Sequence, residues 1–95
     1  MTENQERMGR RLIVTGGAGF IGSNFVRHWC ESYPGDRVVV LDALTYAGNR
    51  QNLADLEERA NLRFVQGDIC DRSLVDGLLK EETIDTIANF AAESH

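Results

Sequence analysis

A short apolar run, Leu12-Ile13-Val14-Thr15, passes directly into Gly16-Gly17-Ala18-Gly19-Phe20-Ile21-Gly22 and from there into a helical pattern. No other stretch restricts the fold as strongly. Gly16 permits a tight turn off the strand, and Gly19 lets backbone N–H groups come close to a ligand. Gly22 removes a side chain where the helix must pack against the sheet. One carboxylate, Asp42, lies 20 residues beyond Gly22 and ends the next apolar run. Strand, glycine loop, helix start and distal acid together form a dinucleotide-binding fingerprint. The fingerprint predicts a diphosphate seated on free N–H groups at the positive end of the helix dipole. Asp42 would accept from the 2′- and 3′-hydroxyls of the adenine ribose and repel the extra phosphate of NADP, which favours NAD. The plainer reading of Asp42 is a solvated turn aspartate.

Beyond the loop, strand and helix patterns alternate with short turns, the mark of an α/β domain with a parallel sheet. The first helix is expected at 20–32, with Ile21, Phe25 and Trp29 as its buried stripe at four-residue spacing. Tyr33-Pro34-Gly35-Asp36 ends it. Val38-Val39-Val40-Leu41 is the second strand. A polar loop over 43–49 leads to a short helical stretch carrying Leu53 and Leu56, and Leu62-Arg63-Phe64-Val65 is the third strand. A second long helix is expected at roughly 72–82, built on Leu74, Val75, Leu78 and Leu79, and a fourth strand at 84–90. The expected fold is the N-terminal part of a doubly wound parallel-sheet Rossmann domain with strand order 3-2-1-4. Residues 1–10 read as a disordered lead-in, and residues 11–95 as a partial NAD-binding domain that stops before a fifth strand.

A net charge of −5 leaves no basic footprint for nucleic acid, and no basic amphipathic stretch suggests a membrane surface. No apolar run approaches the roughly 20 residues that cross a bilayer. The polar, mixed-charge N-terminus is wrong for a signal peptide. Cys30 and Cys70 share no metal or redox spacing and read as reduced, small apolar residues of a cytoplasmic protein.

Other positions carry weaker signals. Asp68 and Ile69 follow the third strand, at the rim where an adenine ring would lie. Gly67-Asp68 reads equally as a plain turn, with Asp71 as a helix cap. Ala91, Ala92, Glu93, Ser94 and His95 end the fourth strand at the topological switch point, where ligands enter open α/β sheets. His28 reads as solvated and Trp29 as core or interface. Tyr33 is followed at i+4 by Arg37, and Tyr46 by Arg50, so no Tyr-x-x-x-Lys pair occurs. Nothing supplies a nucleophile triad or a metal-ligand cluster, and no catalytic residue is assigned.

Three stretches resemble one family. The loop over 15–22 is similar to the glycine signature of extended short-chain dehydrogenases/reductases. Asp42-Ala43-Leu44-Thr45-Tyr46-Ala47-Gly48-Asn49 and Phe90-Ala91-Ala92-Glu93-Ser94-His95 resemble its dTDP-glucose 4,6-dehydratase branch, and Gly67-Asp68-Ile69-Cys70-Asp71 agrees. Asn89 departs from the histidine common there. The resemblance covers residues 11–95, about the first quarter of such an enzyme. It implies backbone contacts from Phe20 and Ile21 to the pyrophosphate, and an adenosine side held by Asp42, Ala43, Leu44 and Thr45. It implies adenine at Asp68 and Ile69, and a nicotinamide end lined by Phe90, Ala91, Ala92, Glu93 and Ser94. Ser94 would also touch the nucleotide-sugar substrate. The implied reaction converts dTDP-glucose to dTDP-4-dehydro-6-deoxy-glucose and water by internal hydride transfer through NAD, in rhamnose-type deoxysugar synthesis. The implied full-length protein is a homodimer whose catalytic residues lie beyond position 95. Another NAD-dependent nucleotide-sugar epimerase or decarboxylase stays open as a reading, as does a non-catalytic dinucleotide-binding fragment.

Overall fold

Four parallel strands in the order β3-β2-β1-β4 form the sheet of the computed structural model. The structure describes residues 9–44, 50–56, 59 and 61–90. The elements run β1 (Arg11–Thr15), α1 (Phe20–Ser32), β2 (Arg37–Asp42), a 3-10 helix (Arg50–Leu56), β3 (Leu62–Gln66), α2 (Arg72–Glu81) and β4 (Thr86–Asn89). In register, Val14 lies opposite Val40 of β2 and Ala88 of β4, and Val40 lies opposite Phe64 of β3. Strand order, strand direction and helix positions follow the expected pattern. The fourth strand is shorter than expected, with Ile84 and Asp85 before it and Phe90 after it outside the strand.

The run Val38-Val39-Val40-Leu41 is apolar throughout because β2 is covered on both faces. Val38 and Val40 enter a core with Val14, Val26, Cys30, Leu53 and Leu56, beneath α1 and the 3-10 helix. Val39 and Leu41 enter the opposite core with Ile13 and Leu78, beneath α2. All four β2 residues are essentially inaccessible. At roughly 1.5–3 kcal/mol for each fully buried side chain, this strand anchors the loops at its ends.

The first helix corrects one expectation. Its buried residues are Gly22, Ser23, Val26 and Cys30, whereas Ile21 is 58% exposed. Phe25 and Trp29 are only half-buried. Glycine sets this rotation. A Cβ on Gly22 would collide with the Gly16 carbonyl oxygen and lie 2.9 Å from Gly17 Cα. Gly22 therefore faces the loop, and Val26 and Cys30 follow it inward one and two turns later. Phe25 and Trp29 instead form the middle of a ring series, Phe90–Phe25–Trp29–Tyr33, with centroid spacings of 5.3, 5.5 and 4.6 Å. Cys30 is buried as expected, and burial pushes its thiol pKa up. Cys70 is not a core residue; it is exposed in the turn after β3.

Two polar hubs close the end of the sheet where the strands begin. Asp36 is buried and accepts from the Arg10 N–H at 2.9 Å and from the Trp29 indole N–H at 2.7 Å. Its carbonyl accepts from the Asn61 amide at 3.0 Å. Glu82, just past α2, is buried among three arginines that stand at the starts of three strands. Arg37 reaches it at 3.0 and 3.1 Å, Arg63 at 2.7 Å and Arg11 at 3.4 Å. Hydrogen bonding from Arg37, then from Arg63, outweighs the desolvation of the carboxyl and lowers its pKa from 4.5 to about 2.

Candidate functional site

The opposite end of the sheet, where the parallel strands finish, gathers the described residues singled out above. Gly16 continues the ladder one step beyond β1, its N–H donating to the Leu41 carbonyl at 2.8 Å. It then turns the chain with φ 75, a left-handed conformation that glycine adopts without strain. Gly17 packs onto the core, where a Cβ would come within 2.8 Å of a Val40 methyl. Gly19 is the N-cap of α1 and, lacking a side chain, makes no capping bond. The Ser23 N–H is the first amide to reach back to the turn, to the Gly19 carbonyl at 2.8 Å. The N–H groups of Phe20, Ile21 and Gly22 precede it, where a helix offers no internal partner. No acidic residue occupies the first turn, so the positive end of the dipole is not neutralised from within the helix. Phe20, the first residue of the helix, is 79% exposed.

Asp42 is not a solvated turn residue. It is buried, with Oδ2 accepting from the Ala18 N–H and Oδ1 from the Leu44 N–H, each at 2.8 Å. The carboxylate thus joins the end of β2 to the glycine loop. Leu44 has φ 59, an unfavourable conformation for leucine that its bond to Asp42 helps to hold. A carboxylate offers about four acceptor positions, so each oxygen keeps capacity for a ribose hydroxyl. Ala43 beside it is exposed.

Sequence reasoning missed one member of this arrangement, Asn52 in the 3-10 helix. Its amide donates to the Ala18 carbonyl at 2.8 Å. The helical stretch was legible from Leu53 and Leu56, but nothing in the spacing signals that position 52 meets the glycine loop.

Asp68 and Ile69 are exposed in the turn after β3. Asp68 Oδ1 accepts from the Cys70 N–H at 2.8 Å, and Asp71 caps α2 by accepting from the Leu74 N–H at 3.2 Å. Phe90 follows β4, half-buried, with its N–H on the Thr15 carbonyl at 2.7 Å. Next to it the Thr15 hydroxyl meets Asn89 Oδ1 at 2.5 Å, joining β1 to β4. Thr45, Ala91, Ala92, Glu93 and Ser94 lie outside the described residues. Among the described residues no group of three or more His, Cys, Asp or Glu is placed to hold a metal. No described helix is long and apolar enough to cross a membrane.

These features fit a dinucleotide. The Gly22–Gly16 approach admits no side chain, the helix start is uncapped, and a buried carboxylate stands beside the loop.

The family model described as GDP-mannose 4,6 dehydratase matches residues 13–95. The low-salt glycan biosynthesis protein Agl12 of Haloferax volcanii is 61% identical over 84 residues, which is 88% of this chain and 26% of that protein. The dTDP-glucose 4,6-dehydratase of Bacillus anthracis, solved in complex with NAD, superposes with a TM-score of 0.86 at 42% identity, covering 87% of this chain and 27% of that one. DesIV, a dTDP-glucose 4,6-dehydratase of Streptomyces venezuelae solved with NAD and TYD bound, gives 0.81 at 56% identity, covering 90% and 27%. The chain therefore spans about a quarter of the length of the relatives it matches.

Proposed function

The chain belongs to the GDP-mannose 4,6-dehydratase family, and on that premise we propose that it is the NAD-holding part of a dTDP-glucose 4,6-dehydratase. The uncapped start of α1 beside the Asp42–Ala18 bond carries the NAD-holding part of this reading, and the 56% identity to DesIV supports the dehydratase part. NAD, when bound, supplies a hydride acceptor that gives the hydride back within the same turnover, so none is consumed.

The residues of this chain bind and orient. The Phe20 and Ile21 N–H groups receive the diphosphate; Gly16 turns the chain beneath it, Gly19 keeps a side chain out of its way, and Gly22 lets the helix close on the loop. Asp42 takes the ribose hydroxyls and excludes a 2′-phosphate by charge. Ala43, Leu44 and Thr45 border the adenosine side, and Asp68 and Ile69 the adenine. Phe90, Ala91, Ala92, Glu93 and Ser94 line the nicotinamide end, with Ser94 also touching the nucleotide-sugar. The proton-transfer groups of the dehydration come from the rest of the protein, which we place in the cytoplasm as a homodimer in deoxysugar synthesis.

Calorimetric titration of the full-length protein with NAD tests the reading. Asp42→Ala is expected to weaken binding by about 1.5–3 kcal/mol, as for hydrogen bonds to a charged group. Unchanged affinity would remove Asp42 from the site.

A further inference from the structure

Ala18, in the middle of the glycine loop, is fully buried, and side chains from two distant elements take both of its backbone polar groups. Its N–H donates to Asp42 and its carbonyl accepts from the Asn52 amide. Only the amide nitrogen of Asn52 can serve a carbonyl, so the side chain's orientation is fixed by this bond. Loss of Asn52 leaves a buried carbonyl unpaired, and the loop must shift to relieve it.

Asn52 is itself firmly held. Leu53 and Leu56 pin the 3-10 helix into the core at 0% and 2% exposure. Arg27 of α1 donates to the Asn52 carbonyl at 3.0 Å and pairs with Asp55. The connection is closed: the loop leads into α1, α1 holds the 3-10 helix through Arg27, and the 3-10 helix holds the loop through Asn52.

We infer that Asn52 is a positioning residue for diphosphate binding, fixing the Ala18 carbonyl so that the amides at the start of α1 keep their direction. This rests on the reading that the glycine loop receives the diphosphate of NAD. Asn52 touches no ligand in this scheme; it acts through the loop, as supporting residues do elsewhere.

The test uses the full-length protein with Asn52→Ala and Asn52→Asp, titrated with NAD, ADP-ribose and adenosine. Both variants are expected to bind NAD and ADP-ribose about five- to tenfold more weakly. Adenosine, which has no diphosphate, is expected to bind as before, even where the unpaired Ala18 carbonyl lowers the thermal midpoint. Asn52→Asp keeps the side-chain volume and replaces a donor with an acceptor, so it reports even if the alanine variant folds poorly. Unchanged NAD affinity in Asn52→Asp overturns the inference. Equal losses for all three ligands also overturn it, since they mark a general loosening. If the unsubstituted protein binds neither NAD nor ADP-ribose, the underlying reading fails first and this inference falls with it.

Discussion

The same substitution has opposite expected effects at two glycines. Gly22→Ala adds a methyl group against the Gly16 carbonyl and Gly17 Cα, where backbone blocks it. A cost of about 1–3 kcal/mol from overpacking is expected, exceeding the roughly 1 kcal/mol gained in helix propensity. Gly77, inside α2, has open space on every side, with nothing within 4 Å of where a methyl would stand. Gly77→Ala is expected to stabilise by about 0.5–1 kcal/mol. Paired urea melts of the full-length protein check both signs, and NAD titration should register only the first. Residue identities made the loop legible, because glycine spacing and a distal acid encode a backbone path. They left Asp36 and Glu82 unread. Burial of a carboxylate depends on partners that lie 26 and 45 positions away, Arg10 and Arg37.

Between elements, the Glu82 hub fastens the starts of β1, β2 and β3 to the end of α2. Its carboxyl titrates near 4.5 when unpaired and near 2 when folded. The contribution is therefore complete above pH 4.5 and disappears as pH falls from there toward 2. It amounts to no more than about 3 kcal/mol. Acid titration of stability should show this slope, and Glu82→Gln should flatten it while lowering stability at neutral pH by about 2–3 kcal/mol. The orientation of α1 belongs to the same scale. Four-residue spacing fits Ile21-Phe25-Trp29 and Gly22-Val26-Cys30 equally well, and hydrophobicity favours the first. Close approach at Gly22 selects the second, so periodicity located the helix but not its inward face. Asn52 was hidden for a similar reason, since its partner is a carbonyl, which no side-chain pattern can announce.

At the scale of the whole chain, strand order was legible because alternating patterns, short turns and a fixed crossover hand leave few topologies. One edge of β4 pairs with β1, and Ile87 on that strand is 62% exposed. An apolar edge strand invites pairing between molecules. Residues 1–95 expressed alone are expected to self-associate with rising concentration, measured by light scattering, and Ile87→Lys should suppress this. The same preparation should give no 4-keto product from dTDP-glucose. Trp29 is the chain's single tryptophan, and its indole is tied to the carboxylate at the turn between α1 and β2. Every photon of indole emission from this segment thus originates at one joint. When that joint opens, the ring exchanges an anionic neighbour for solvent, which makes its colour a built-in clock for helix leaving sheet.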